Sequence, residues 1–327
     1  MSSSQHSRSV YAHRMNRVLD YIDQHLDTPL DLPALAALAH FSPYHFHRLF
    51  AAWMGETLGD YLRRRRLDVA AVLLAGNHTK PVLEIALSVG FGSGEALARA
   101  FKLRFACSPS EWRRGTTARW AEQMASLRAQ RPYLANSEDS NLDQVQRNLD
   151  QADSNLHRHH DNSRHPDPEL SMEVELLTLP PTTIAYMRHI GPYGDAVHTF
   201  WMKTFFPWLH GQQLAGQPLY GLGQDDPSIT DPEKCRYDAG VEVPADFKPG
   251  QAANLMTLPG GRYASAKFLG TVPQVGAAWA AFFREWLPAS GYTCDARPVF
   301  EYYPSDAKFD PQTGIFNCDL RIPIRPL

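Results

Sequence analysis

One nine-residue pattern occurs twice in the first third of the chain. The segment SPYHFHRLF at 42–50 returns 51 positions later as SGEALARAF at 93–101. Each copy begins with a Ser, whose hydroxyl can cap the first free amides of a helix, and each follows a short apolar helix candidate, at 32–39 and 82–89. Two helices joined by a tight turn, with an Arg in the second helix, are typical of a helix-turn-helix unit. The pattern therefore predicts two such units, each with a recognition helix for the DNA major groove.

The exposed positions of the two predicted recognition helices supply the candidate DNA contacts. Arg48 and Arg99 occupy the same place in both copies; an intramolecular ion pair is the alternative for each. Polar side chains in the first helix can read base edges, whereas the second offers poor base readers, so we expect the first unit to carry most direct readout and Arg99 to hold register. The candidate DNA-binding residues are Tyr44, His45, His47, Arg48, Gly94, Glu95, Ala98 and Arg99.

A long helix predicted at 57–75 joins the two units and fixes their separation. At 1.5 Å per residue it spans ~28 Å, close to the roughly 34 Å of one DNA turn. Its predicted buried set is Leu58, Tyr61, Leu62, Val69, Val72 and Leu73. The run Arg63-Arg64-Arg65-Arg66 lies on this helix and points in all directions around it, so the four cannot share one row of phosphates. A solvated face is the alternative interpretation of this run.

Charge and composition divide the chain into three parts. Residues 1–115 hold 14 Lys and Arg against 10 Asp and Glu, a net charge of +4, whereas the remainder holds 18 against 25, a net of −7. The basic part carries the repeated helices, as phosphate contact requires. We expect a DNA-binding domain at 8–115, a polar linker at 116–170 and an acidic domain at 171–327.

The predicted linker is rich in Gln, Asn, Asp, Ser and His, which favours a flexible segment. A spacing of seven places Leu142, Leu149 and Leu156 on one side of a helix, so a short dimerising helix is the alternative. The histidines of this linker do not form the spacing of a specific metal site. The four cysteines of the whole chain include no CxxC pair, so we expect no metal or cofactor site there either. No apolar signal segment or membrane span is evident, and we expect a reduced, cytoplasmic protein.

A second internal repeat, offset by 79 residues, occupies the acidic part. The sequence LTLP at 177–180 is matched by MTLP at 256–259, and the same offset aligns Gly191 with Gly270 and Tyr237 with Phe316. Each repeat predicts a strand, an aromatic amphipathic helix and two further strands: 183–190, 200–209, 218–223 and 239–243, then 263–269, 275–287, 299–303 and 316–323. The fold class is multidomain: an all-α double helix-turn-helix N-terminal domain and an α+β C-terminal domain of two pseudo-twofold β-α-β-β repeats, with a cleft at their seam.

One position breaks the symmetry of the second repeat, since Glu301 stands where its twin segment has Gly221. An acidic side chain in an apolar strand is costly to bury unless it is paired, and a cation held by a carboxylate and aromatic faces is one such partner. An internal salt bridge or an exposed strand edge is the alternative, and core packing is the alternative for each aromatic residue. The candidate ligand-binding residues are Glu301, Tyr193, Trp201, Tyr220, Trp279, Phe283 and Tyr303.

Residues 8–115 resemble the DNA-binding domain of the AraC/XylS family of bacterial transcription regulators. The resemblance rests on IALSVGFGS at 85–93, FKLRF at 101–105 and SPSEWR at 108–113. It implies a monomeric module that reads two successive major grooves, with Tyr44, His47 and Arg48 in the first groove. Residues 171–327 resemble the GyrI-like effector-binding domain through GGRYA at 260–264, FEYYP at 300–304 and RIPI at 321–324. The two together are similar to Rob-type AraC regulators.

This resemblance implies a sensor of small amphipathic, often cationic molecules, with Glu301 as the matching acidic residue. We therefore expect a transcription regulator without enzymatic activity, whose partners are double-stranded DNA and a small-molecule effector. Because some GyrI-like domains are hydrolases that use Tyr and Glu, a small-molecule hydrolase is one alternative for the acidic domain. A protein-binding module for RNA polymerase or a topoisomerase is the other.

Overall fold

The computed structural model describes residues 3–76, 79–115, 173–295, 297–310 and 313–326. The predicted linker 116–170, with its heptad pattern and its histidines, lies outside these residues. Residues up to 113 and from 173 onward belong to one compact unit.

The N-terminal residues form the predicted pair of helix-turn-helix units. The helices are α1 Ser3–Gln24, α2 Leu32–Leu38, α3 Pro43–Met54, α4 Leu58–Gly76, α5 Val82–Ser88, α6 Gly94–Phe105 and α7 109–115. Helices α2 and α3 form the first unit, and α5 and α6 form the second. The caps are as predicted, because Ser42 Oγ accepts the His45 amide at 3.4 Å and Ser93 Oγ accepts the Ala96 amide at 3.1 Å. The sequence repeat is therefore a structural repeat.

Helix α4 packs into two hydrophobic cores in succession, which the predicted buried set did not capture. Leu58 and Tyr61 are buried in the core of the first unit, as predicted. Further along, Leu67 and Leu74 are buried in the core of the second unit, while Val72 is 47% exposed. The prediction was therefore wrong for Val72 and omitted Leu67 and Leu74, because the two cores meet different sides of the helix.

The C-terminal residues fold as an antiparallel sheet with helices. The strands are β1 Val174–Leu179, β2 Thr182–Ile190, β3 Leu219–Gly223, β4 Arg236–Glu242, β5 Asn254–Leu258, β6 Gly261–Gly270, β7 Tyr292–Cys294, β8 Phe300–Tyr303 and β9 Phe316–Pro326. Their order is β1-β6-β9-β8-β3-β4-β2-β5, and β7 pairs with β9. Both predicted repeats are present, each preceded by a strand (β1 or β5) that was not predicted.

The sheet order is palindromic when equivalent strands of the two repeats are exchanged. The pseudo-twofold axis passes between β3 and β8, where Gly221 pairs directly with Glu301. Each leading strand pairs with the other repeat, β1 with β6 and β5 with β2, so the halves are interlocked. The symmetry-breaking residue thus lies at the axis itself.

Each repeat packs one helical segment against the sheet, and both segments contain a turn of π-helix. The first runs through α8 Asp195–Phe200, the π turn Trp201–Phe205 and α9 Phe206–Gly211. The second runs through α10 Val272–Ala281, the π turn Phe282–Trp286 and α11 Leu287–Ala289. Trp201 begins the first π turn and Phe282 the second. Such turns widen a helix locally and are frequent at functional sites.

Candidate DNA interface and effector site

The two recognition helices present different chemistry to solvent. On α3, His45, His47 and Arg48 are exposed while Phe46 and Phe50 are buried. The Tyr44 side chain lies outside the described residues. These exposed side chains of α3 are all polar, and none is acidic. They are therefore suited to direct readout of base edges.

On α6, Glu95 and Arg99 are exposed, and Gly94 and Ala98 are half-buried. Hydrogen bonding from the Ser93 hydroxyl lowers the pKa of Glu95, with a smaller contribution from Arg99 one turn away. A carboxylate held ionised at this exposed position of α6 would repel a phosphate group brought close to it. This surface suits positioning through Arg99 better than broad base readout.

The arginine run on α4 is mostly occupied by contacts within the chain. Arg64 forms ion pairs with Glu56 at 2.8 Å and Asp68 at 3.1 Å. Arg65 contacts Asp23, and Arg66 donates to the carbonyl oxygen of Leu26 at 3.0 Å. Arg63 is exposed. A solvated face is thus wrong for Arg64, Arg65 and Arg66, which are structural.

Glu301 is a buried carboxylate surrounded by neutral hydrogen-bond donors. The hydroxyls of Tyr237 and Tyr303 each donate to its Oε2 at 2.9 Å, and the indole Nε1 of Trp279 lies 3.3 Å from its Oε1. Only 9% of Glu301 is exposed. Among the described residues, no Lys, Arg or His forms an ion pair with this carboxylate.

Burial raises the pKa of Glu301, and the hydrogen bonds from Tyr237, Tyr303 and Trp279 lower it in part. The net shift is upward because three neutral donors do not replace full hydration. A positive charge brought to this carboxylate would compensate the remaining cost of burying it. The electrostatics therefore favour a cation as ligand.

Gly221 makes this arrangement sterically possible. An added Cβ at this position would lie 2.6 Å from Glu301 Oε2 and would overlap the Tyr237 hydroxyl. The glycine at the twin position therefore leaves room for the Glu301 side chain across the axis.

Aromatic rings enclose the carboxylate; we refer to Glu301, Tyr237, Tyr303, Trp279 and Trp201 as the Glu301 cluster. The Trp201 ring lies 5.7 Å from that of Tyr303, and its Nε1 lies 3.4 Å from the Tyr237 hydroxyl. Trp201 and Trp279 come from the helical segments of different repeats, so the cluster spans the seam between them.

Two of the other predicted ligand residues pack against members of the Glu301 cluster, and one lies away from it. Phe283 is 37% exposed and stacks on Trp279 with ring centroids 5.8 Å apart. The ring of Tyr193 lies 6.0 Å from that of Tyr237. The structure does not bring Tyr220 to this group, because adjacent strand residues point to opposite faces. Tyr220 packs instead against Phe300 and donates to Glu242 Oε2 at 2.8 Å.

The set predicted from the sequence omitted Tyr237. Its hydroxyl contacts Glu301 directly, whereas its twin in the second repeat is Phe316. The first repeat thus has a hydroxyl at a position where the second has none. This is the same kind of difference between the repeats that singled out Glu301, so the sequence contained a signal that could have identified Tyr237.

A groove of about 680 Å³ lies on the opposite face of the sheet, where the strands of the second repeat are not covered by helices. Glu301 does not line it. Its polar lining includes Glu175, Lys267, Tyr302, Asp319 and Arg321. The predicted cleft at the seam is therefore closed by the side chains of the Glu301 cluster.

Two helix-turn-helix units and an α+β domain with an enclosed acidic site define a DNA-binding regulator with a small-molecule-binding domain. A helix-turn-helix domain family matches residues 35–115, and the GyrI-like small molecule binding domain family matches residues 172–325. The chain belongs to the AraC-type transcription regulators that carry a GyrI-like domain.

Three relatives illustrate this membership. The SPbeta prophage-derived putative transcriptional regulator YosT of Bacillus subtilis is 37% identical over 158 residues, which cover 47% of this chain and 100% of YosT. The transcriptional regulator Rob of Salmonella typhimurium is 26% identical over 94% of this chain and 96% of its own length. The regulatory protein SoxS of Escherichia coli is 35% identical over 29% of this chain and 89% of SoxS. In the part of the chain that the structure describes, no helix has the length and apolarity needed to cross a membrane.

Proposed function

We propose that the chain is a transcription regulator whose GyrI-like domain binds a small lipophilic cation at Glu301. The observation that carries the proposal is a buried carboxylate whose donors among the described residues, Tyr237, Tyr303 and Trp279, are all neutral. Aromatic rings from both repeats surround it, and a cation over the face of Trp or Tyr gains ~0.5–2 kcal/mol. The carboxylate supplies charge, and the rings supply both cation–π attraction and an apolar wall.

The DNA-binding part of the proposal assigns base and phosphate contacts to α3 and positioning to α6. Exposed His45, His47 and Arg48 support the first role, and exposed Arg99 supports the second. Tyr44 joins the first set by its place in the helix. Gly94, Glu95 and Ala98 shape the second surface without strong base discrimination.

A hydrolase built on the same residues is less well supported. Burial raises the pKa values of Tyr237 and Tyr303 well above their usual range, and the nearby Glu301 charge raises them further. Burial likewise raises the pKa of the Cys318 thiol. A group kept protonated is a poor nucleophile, so we propose that the cluster binds its ligand without transforming it.

The test is a titration of the full chain with tetraphenylphosphonium, followed by intrinsic Trp fluorescence. We expect saturable quenching because Trp201 and Trp279 belong to the cluster. Glu301→Gln should weaken binding at least about tenfold, equivalent to 1.4 kcal/mol. The matched control is Glu285→Gln, since Glu285 is exposed on the second π turn.

Neutral triphenylphosphine oxide serves as the second control, and we expect it to bind much more weakly than the cation. Equal affinity of wild type and Glu301→Gln for tetraphenylphosphonium would refute the cation site. Mass spectrometry after incubation with a lipophilic cation that carries an ester bond tests the hydrolase alternative through any product formed.

A further inference from the structure

Strand β4 has the effector site on one face and the DNA-binding domain on the other. Tyr237 points to the helical side and donates to Glu301. Its neighbours Arg236 and Asp238 point to the opposite side, where Arg236 reaches Asp23 of α1 at 2.7 Å. We propose that a cation bound at Glu301 loosens, through β4, a buried ion-pair network that holds α1 and α4 against the GyrI-like domain. This inference rests on the proposed function.

The network is a closed ring of four charged side chains, two from each domain: Asp23, Arg65, Asp225 and Arg236. Arg65 lies 2.8 Å from Asp23 and 2.9 Å from Asp225, while Arg236 lies 2.7 Å and 2.8 Å from the same two carboxylates. The side chains of Arg236 and Asp225 are 1% and 0% exposed. Burial raises the pKa of Asp23, but the Arg236 and Arg65 guanidiniums outweigh it and hold that pKa below its usual range. The ring is thus charged, and only its Asp23 and Arg65 side chains reach solvent, at 22% and 12% exposed.

A second chain of contacts runs from the same strand to α1. Arg188 of β2 lies 2.6 Å from Asp238 of β4 and 3.0 Å from Asp20 of α1. The hydroxyl of Tyr186 also donates to Asp20. Both residues that flank Tyr237 on β4 are therefore tied to α1, one directly and one through Arg188.

Helix α4 and Glu56, two residues before it, are held at further points. Lys234 lies 3.0 Å from Glu56, and the Thr230 hydroxyl donates to Asp68 Oδ2 at 3.0 Å. Asp68 in turn pairs with Arg64 and with Arg104 of α6. The segment from Glu56 to Asp68, which includes the first part of α4, is therefore anchored to the GyrI-like domain. Within the arginine run, Arg65 contacts that domain directly, and Arg64 supports the contact by holding Glu56 and Asp68.

Binding at Glu301 has to displace at least one of its donors, because the carboxylate is 9% exposed and already accepts from three of them, and we infer that Tyr237 shifts with the ligand. The adjoining backbone is fixed, since the Tyr193 hydroxyl donates to the carbonyl oxygen of Arg236 at 2.7 Å and accepts the Asp225 amide at 3.2 Å. A shift of Tyr237 is thus passed to Arg236 and Asp225 rather than absorbed locally. Buried ion pairs lose much of their energy when their geometry changes, so a small shift is enough to weaken the ring.

Hydrogen exchange followed by mass spectrometry, on the full chain with and without tetraphenylphosphonium, tests the inference. The binding isotherm of each variant is measured first so that exchange is compared at equal occupancy. We expect amides of α1 and α4 to exchange about 5-fold faster or more in the bound state, the lower end of typical coupling. Unchanged or slower exchange at α1 and α4 with the cation bound would overturn the inference alone. Absence of saturable binding would overturn the proposed function and this inference with it.

Asp23→Asn removes one member of the ring from the DNA-binding side, away from the Glu301 cluster. We expect the response of α1 and α4 to fall below about 2-fold in this variant. Arg65→Lys, which keeps the charge but lacks the forked guanidinium that bridges both carboxylates of the ring, is the substitute if the first variant does not fold. Glu84→Gln, on α5 and 60% exposed, is the control and should respond like wild type. A full response in a folded Asp23→Asn or Arg65→Lys protein would show that the ring does not carry the coupling, and would overturn the inference.

Discussion

At the scale of single residues, Glu301 occupies an electrostatically unfavourable position in the GyrI-like domain. Glu301 is buried among neutral donors, and its twin is a glycine that leaves it room. Natural proteins accept such local costs chiefly at functional sites. The sequence was enough to identify this position, because an acidic residue replaced glycine in an internal repeat. The same alignment should have excluded Tyr220, because this residue is adjacent to Gly221 and therefore lies on the opposite face of its strand.

The upward pKa of Glu301 predicts how its replacement changes stability with pH. Because the folded state favours the protonated acid, Glu301 does not destabilise the fold below the unfolded pKa of ~4.3. As pH rises through the raised folded pKa, the carboxylate must ionise while buried, and the fold loses stability. Glu301→Gln removes the cost and should melt higher than wild type at pH 7, by roughly 2–4 °C per kcal/mol relieved. Thermal melts from pH 7 to pH 5 should show this advantage shrinking. A variant less stable at pH 7, or an advantage independent of pH, would contradict the pKa shift.

Gly221→Ala tests the space beside the carboxylate. The new methyl group would overlap the Tyr237 hydroxyl and Glu301, so we expect a loss of about 1–3 kcal/mol in unfolding free energy and weaker cation binding. Gly276→Ala in α10 is the control, because nothing lies within 4 Å of an added Cβ there. It should be neutral or stabilising in the same chemical denaturation experiment. Equal effects of the two substitutions would argue against close packing at the axis.

At the scale of elements, local signals predicted the helices and caps of the DNA-binding domain well. Ser42 and Ser93 cap the helices that they precede. The buried face of α4 was harder to predict because two cores and a second domain pack against one helix. Arg64 and Asp68 are buried there as partners of each other, and periodicity of apolar residues does not predict such pairs.

Different roles for the two recognition helices predict different effects of removing their arginines. Because we propose that Arg99 contacts a phosphate, Arg99→Ala should make the negative slope of log K against log salt concentration shallower by about 0.9. It should not alter the preferred DNA sequence. Arg48→Ala should cost about 1–3 kcal/mol in binding and relax specificity at its position. Fluorescence anisotropy with a duplex selected from a random pool by the full chain measures both.

Lys308→Ala, at an exposed position of the GyrI-like domain, removes the same charge away from the DNA-binding domain. It should leave both affinity and salt slope unchanged. If Lys308→Ala loses as much affinity for DNA as Arg99→Ala does, then overall charge, rather than contact by α6, explains the effect.

At the scale of the whole molecule, two internal repeats define two domains with complementary tasks. The 51-residue repeat predicted a pair of DNA-reading units, and the 79-residue repeat predicted a pseudo-twofold sheet with a site at its seam. Contacts between the domains were not predictable, because Asp23 and Arg236 are 213 positions apart and each occurs in an unremarkable local pattern. Such long-range ion pairs depend on the assembled fold rather than on local sequence.

The most direct test of the central claim locates the cation itself. Crystals of the full chain grown with tetraphenylarsonium would be measured at the arsenic absorption edge. We expect one anomalous peak per chain beside Glu301, within about 6 Å of the rings of Trp201, Trp279 or Tyr303, as a cation–π contact requires. A peak elsewhere, such as in the groove on the opposite face of the sheet, would show that the buried carboxylate is not the effector site.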